Sequence, residues 1–164
     1  QREALTTAHK ATNLYRTLVE RNPAAYTPDL AMSLNNLANR QAENGQRREA
    51  LTTAQEATNL YRTLAERNPA AHTPNLAMSL NNLAISLGDN GQQREALTTA
   101  QEATNLYQKL VSEHFQAFSS RFATTLETHA RILDHCGDAA EATRIRKERD
   151  KVLKRMKEME EGDA

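Results

Sequence analysis

The chain repeats itself. Residues 2 to 46, "REALTTAHKATNLYRTLVERNPAAYTPDLAMSLNNLANRQAENGQ", return 46 positions later (48 − 2) as "REALTTAQEATNLYRTLAERNPAAHTPNLAMSLNNLAISLGDNGQ", with 35 of 45 positions identical. Another step of the same length matches "REALTTAQEATNLYQKL" at 94 to 110, and the apolar register persists beyond it to about Leu153. A fixed period of this size means stacked units, each too small to bury its own apolar face alone. Aromatics make up 4% of the residues and Trp is absent, so the units must pack through small and aliphatic side chains. That composition suits closely approaching helices better than a sandwich or barrel.

The pattern predicts two helices per unit. Thr27-Pro28 and Thr73-Pro74 read as starts of the first helix, with threonine capping and proline at the first helical position. Leu30, Ala31, Leu34, Leu37 and Ala38 then form one stripe, repeated by Leu76, Ala77, Leu80, Leu83, Ala84 and Leu87. Asn44-Gly45 and Asn90-Gly91 end it with a glycine cap. The second helix carries Ala50, Leu51, Ala54, Ala57, Thr58, Tyr61 and Leu64 on one face, and Asn-Pro at 22 to 23 and 68 to 69 reads as its stop. The expectation is an all-α array of about seven helices: an unpaired second helix at 2–20, then repeats at 28–67, 74–114 and 119–160. Gln1 leads straight into "REALTTA", so the chain is expected to begin inside a repeat, as a fragment of something longer.

On these residues the chain resembles the tetratricopeptide repeats. Leu80, Leu83, Ala84 and Leu87, followed by Gly91, Ala96, Ala100 and Ala103, stand at that family's spacing, with Leu80 in place of the usual Trp. The late proline, Pro69, and the recurring "LNNLA" are most similar to the long-repeat kinesin light chain type. The resemblance implies a right-handed superhelical α-solenoid of antiparallel helix pairs whose first helices line a concave groove, and a role in protein–protein interaction.

Helical geometry then selects candidate groove residues. Taking Leu34 as the zero direction and about 100° per residue, Met32, Asn35, Asn36, Asn39 and Glu43 point away from the stripe. Unit two offers Met78, Asn81, Asn82, Ile85 and Asp89, and unit three Thr124, Glu127, Thr128, Arg131 and His135. Asparagine amides both donate and accept, so a row of them can bind the backbone of an extended peptide; they can equally tie one repeat to the next. Five of the ten differences between the first two units are consecutive, Asn39 to Glu43 against Ile85 to Asp89. With Glu43, Asp89 and Glu127 set against Arg131, a neutral or basic partner is expected rather than an acidic one.

The ends carry two further candidates. Phe115, Phe118 and Phe122 lie within eight residues and read as a plug for an altered linker, with Ser119 as its N-cap, or as an exposed patch for a partner. The last helix has eight Lys or Arg against two acids between Arg144 and Lys157, and Arg149 stands where earlier units have Ala57 and Ala103, as expected of a capping helix. Without interleaved aromatics this run speaks against nucleic acid as partner.

The overall balance of 21 basic and 21 acidic residues leaves no global field. His129 occupies a stripe position held elsewhere by Leu37 and Leu83, so it is expected in the core. No metal-ligand spacing, nucleophile motif or phosphate loop appears, which predicts no enzyme, metal or cofactor. The single Cys136 and the lack of a membrane-length apolar run predict a cytoplasmic protein. The competing expectation is a self-associating assembly or sensor region of a larger signalling protein, its copies joined through repeat stacking.

Overall fold

The computed structural model describes residues 2–162. These form seven helices: α1 (Arg2–Arg21), α2 (Pro23–Glu43), α3 (Arg47–Arg67), α4 (Pro69–Asp89), α5 (Gln93–Glu113), α6 (Phe115–His135) and α7 (Ala139–Gly162). Among the described residues there is no strand, and no helix is long and apolar enough to cross a membrane.

The first helix of each pair starts earlier than the sequence reading has it. Asn22 accepts a hydrogen bond from the Ala25 amide at 3.3 Å, so Pro23 opens α2 and Pro28 lies inside it. Asn68 does the same with Ala71 at 3.3 Å, placing Pro74 within α4. Proline is tolerated there because the carbonyl it cannot bond, that of Ala24 or Ala70, sits on the exposed first turn. Thr27 turns its hydroxyl back to the Pro23 carbonyl at 2.6 Å instead of capping. One residue thus serves two helices: Asn68 ends α3 and caps α4, leaving no linker. In the third unit α6 begins at Phe115, and Ser119 is a buried helix-interior residue, not an N-cap. Gly45 and Gly91 have φ of +78° and +79°, the left-handed conformation that closes each pair's inner turn.

Every helix packs on its sequence neighbours. Beyond that, α2 touches α4 and α4 touches α6, whereas the backbones of α1, α3, α5 and α7 stay farther apart. The layer whose members sit closer together is the inside of a curved stack, so α2, α4 and α6 form the concave side. Ala31, Ala54, Ala57, Ala77 and Ala84 are fully buried, which is what lets the two layers approach so closely. Tyr61 and Tyr107, almost wholly buried, fill the wider spaces between pairs.

The two junctions between complete repeats differ. Between repeats one and two, Ser79 Oγ donates to Asn35 Oδ1 at 3.0 Å, Asn90 Nδ2 donates to the Arg47 carbonyl at 2.9 Å, and Arg62 forms a two-pronged ion pair with Glu102 at 2.5 and 2.6 Å. Between repeats two and three each tie is weakened or lost. Asn81 Oδ1 is buried without a partner, Cys136 makes only a 3.8 Å thiol contact to the Gln93 carbonyl, and Gln108 stands where Arg62 stands one unit earlier.

Candidate functional site

The concave side presents Met32, Asn36 and Asn39 from α2, Met78, Asn82, Ile85 and Asp89 from α4, and Thr124, Arg131 and His135 from α6. Asn36 is exposed and Asn82 half-buried, on the same position of successive first helices. Met32 and Ile85 are 49% and 40% exposed, two of the four large apolar side chains left open anywhere in the described chain, so this face is apolar as well as polar.

Asparagine pairs divide at each repeat. Asn35 is only 2% exposed and its oxygen is held by Ser79, whose hydroxyl also meets Thr58 Oγ1 at 2.9 Å. It faces the next repeat, out of reach of a groove-bound segment. The reason is that a first helix has two neighbours, its own second helix and the next first helix, and so buries a wider arc than one stripe shows. Asn36, a further ~100° round, clears that arc. Asn81 is likewise turned toward the junction, its oxygen buried. Thr128, at the position of Asn36 and Asn82, is buried in unit three.

Two of the three expected groove acids are already paired. Glu43 accepts from Arg40 at 2.6 Å. Glu127, at the position of Asn35, is held by Arg149 and lies 3.7 Å from Arg146, both on α7. The position that clips repeat one to repeat two therefore becomes an ion pair with the terminal helix. Asp89 and Arg131 keep no ion-pair partner among the described residues, so the open charge of the face is balanced rather than acidic.

Between the C-terminal halves of α4 and α6 this face holds a cavity of about 120 Å³. Buried Ala84, Thr128 and Ile132 line it from below; Ile85, Asp89, Arg131 and His135 stand exposed around it. Gly88 forms one wall, where the first unit has Ala42, and Gln93 closes an end by donating to the Gly88 carbonyl at 3.2 Å. The sequence reading missed Gly88 and Gln93. The signal was the difference between copies, Ala42 against Gly88 and Arg47 against Gln93.

The other candidates are absorbed by the fold. Phe122 is buried, and Phe115 and Phe118 pack against the same cluster as Tyr107, Leu110, Val111 and Met156. The Arg155 guanidinium covers the Phe115 ring at 4.0 Å. In the basic run, Arg144 pairs with Glu141, Arg146 with Asp134, Arg149 with Asp150, Lys154 with Glu158 and Lys157 with Glu161. Lys147 and Lys151 are left there without an ion pair or an aromatic partner. Among the described residues no three His, Cys, Asp or Glu side chains gather as metal ligands.

His129 is 1% exposed, with Nδ1 at 3.1 Å from Thr104 Oγ1. Burial holds its pKa below the ordinary value of 6.5, outweighing the pull of Glu141. The unfolded chain therefore binds a proton more readily than the native one. Stability contributed by neutral His129 is complete above about pH 6.5 and falls as the pH drops toward the depressed native value. Urea midpoints should decline between pH 7.5 and pH 5.5, and His129→Leu, the residue of the other units, should flatten that decline. An unchanged slope in the variant would place the pH dependence elsewhere.

Residues 76–116 match the family model described as tetratricopeptide repeat, and residues 30–70 are the near-copy of that segment. The chain thus carries a tetratricopeptide repeat. Its fold is similar to that of a Podosopora anserina crystal structure described as a kinesin light chain with nearly identical TPR-like repeats: TM-score 0.64, 19% identity, covering 92% of this chain and 69% of that one. Two looser matches are the DHF58 filament (TM-score 0.42, 21% identity, 99% of this chain and 85% of that one) and BtubC (BKLC) from P. vanneervenii (0.29, 17%, 95% and 92%). No match to a curated protein was found. Tetratricopeptide arrays are protein-interaction scaffolds, typically without catalysis of their own, and the open concave face of this array is available for such a role.

Proposed function

We propose that this tetratricopeptide array binds an extended, uncharged protein segment along its concave face, acting as a non-catalytic adaptor in the cytoplasm. The observation that carries this is the pair of amides of Asn36 and Asn82. They occupy one position in successive repeats and make no hydrogen bond among the described residues, while their neighbours Asn35 and Asn81 turn into the junctions. Packed helices lie roughly 8–10 Å apart, and a segment with three residues per turn and a 3.1 Å rise advances about 9 Å. The two amides would thus meet backbone groups three residues apart, with Met32, Met78 and Ile85 contacting side chains. With Glu43 and Glu127 paired internally, a neutral segment suits the face better than a basic one.

Asn36→Ala with Asn82→Ala is expected to weaken binding of a co-purifying segment at least about tenfold, roughly 1.4 kcal/mol from the lost hydrogen bonds, with the thermal midpoint nearly unchanged. Isothermal titration beside a thermal melt checks both. A collapse of folding in the double variant would instead give these residues a structural role.

Self-association is the second reading, favoured by Leu14, which is 60% exposed on α1 although its counterparts Leu60 and Leu106 are packed. A copy stacked end to end would set α7 against α1, both second helices, which among the described residues meet through long side chains such as Arg16–Glu56 and Arg62–Glu102. A single monomeric species in light scattering at high concentration would dismiss it.

A further inference from the structure

Two of the three inner turns carry Asn-Gly, at 44–45 and 90–91; the third has Cys136-Gly137. Asparagine is a thermolabile residue, most of all before glycine, which has no side chain to screen its nitrogen from the neighbouring amide carbon. At the second turn the labile amide is also structural. Asn90 Nδ2 donates to the Ser86 carbonyl at 2.8 Å and, across the junction of repeats one and two, to the Arg47 carbonyl at 2.9 Å. The Gly91 N–H donates to the Gly88 carbonyl at 3.0 Å. A Cβ built on Gly91 would meet nothing within 4 Å, so water reaches the turn freely. The bonds that close the turn and the junction are therefore the ones that hold the two reacting groups apart.

We propose that Asn90 is a self-modification site: it deamidates when the junction between repeats one and two opens, and its product keeps that junction from closing again. The Gly91 nitrogen attacks Cγ of Asn90 and forms a C–N bond; the Cγ–Nδ2 bond breaks, and the amide proton leaves with Nδ2 as ammonia. Water then opens the resulting succinimide at either carbonyl, giving aspartate or isoaspartate. In the aspartate a carboxylate oxygen stands where Nδ2 stood. It cannot donate, and it meets the Ser86 and Arg47 carbonyls acceptor to acceptor. Its charge lies beside that of Asp89, at the C-terminal end of α4, where the helix dipole disfavours an anion. The isoaspartate routes the backbone through Cβ and lengthens the turn by one atom. The chemistry is independent of what the concave face binds.

Asn44 supplies the internal comparison, since Asn-Gly-Gln follows an acid in both turns, Glu43 in one and Asp89 in the other. Native and urea-unfolded chain, held at about pH 7.5 and 37 °C, are read by tryptic mass spectrometry for the one-dalton gain at each asparagine. Unfolded, the two should convert alike. In the native chain Asn90 should convert roughly 20-fold more slowly than in urea, because the bonds from Gly91 to Gly88 and from Asn90 to Arg47 must open first and each slows the step about fivefold. Ser79→Ala removes the Asn35 bond at the same junction without touching the turn. It should speed native conversion at Asn90 at least about threefold and leave Asn44 unchanged. Asn90→Asp presets one product, and should raise amide exchange in α3 and α4 while α6 and α7 stay as in the parent. Four results would each overturn the proposal: native conversion at Asn90 as fast as in urea, no product there after roughly a hundred unfolded half-times, a parent-like rate in Ser79→Ala, or parent-like exchange in Asn90→Asp.

Discussion

Leu80→Ala should cost the array about 3–5 kcal/mol, the upper range for emptying a fully buried leucine site. Leu80 has no exposure and packs among Ala31, Tyr61, Ala65, Leu76 and Ala103, which come from α2, α3, α4 and α5. Removing its side chain opens a void where four helices and two repeats meet. Three of the surrounding residues, Ala31, Ala65 and Ala103, are alanines, whose short side chains cannot swing in to refill it. Since a repeat array holds together through nearest-neighbour interfaces, the loss should appear as a lower urea midpoint and a broader transition, with repeat one separating from repeat two. Leu14→Ala, on an exposed part of α1, should change stability by no more than about 0.5 kcal/mol. Urea unfolding followed by circular dichroism distinguishes the two, and a cost below about 1 kcal/mol for Leu80→Ala would mean that this junction is not the core of the array.

Gln41→Leu is expected to do the reverse and stabilise by about 2–3 kcal/mol. Gln41 is 5% exposed with its Oε1 buried and unpartnered, at the position where Leu87 and Leu133 are each 4% exposed in the core. Leaving a buried acceptor unmade costs about 1–3 kcal/mol, and leucine adds apolar burial without adding length to the helix. The midpoint should rise with an unchanged denaturant slope, and Leu87→Gln should lose a comparable amount. If Gln41→Leu were neutral or harmful, the buried oxygen must be hydrogen-bonded in solution.

Much of this architecture was legible because duplication displays it twice. The stripe through Leu34 and Leu80 and the glycine turns at Gly45 and Gly91 follow from periodicity and local chemistry. Two local signals for a helix start, Asn-Pro and Thr-Pro, compete within six residues, and nothing along the chain ranks them. The Asn22 side chain decides in favour of the first. The ion pairs Arg16–Glu56 and Arg62–Glu102 recur across 40 residues in both copies, a regularity that could have been read as contact between second helices.

Sequence by itself determined that the chain is a stack of helix pairs, because an apolar stripe at helical period, repeated every 46 residues, can be buried only against its neighbours. It also brought the asparagine pairs to the first helices. Which asparagine faces outward was decided only by tertiary structure. Asn35 and Asn36 differ by one residue, about 100° of rotation, and that rotation separates the junction from the groove only once the next first helix stands beside α2. The hollow beside Gly88 is tertiary in the same sense: residues of α4 and α6 line it together, and the space belongs to neither helix alone.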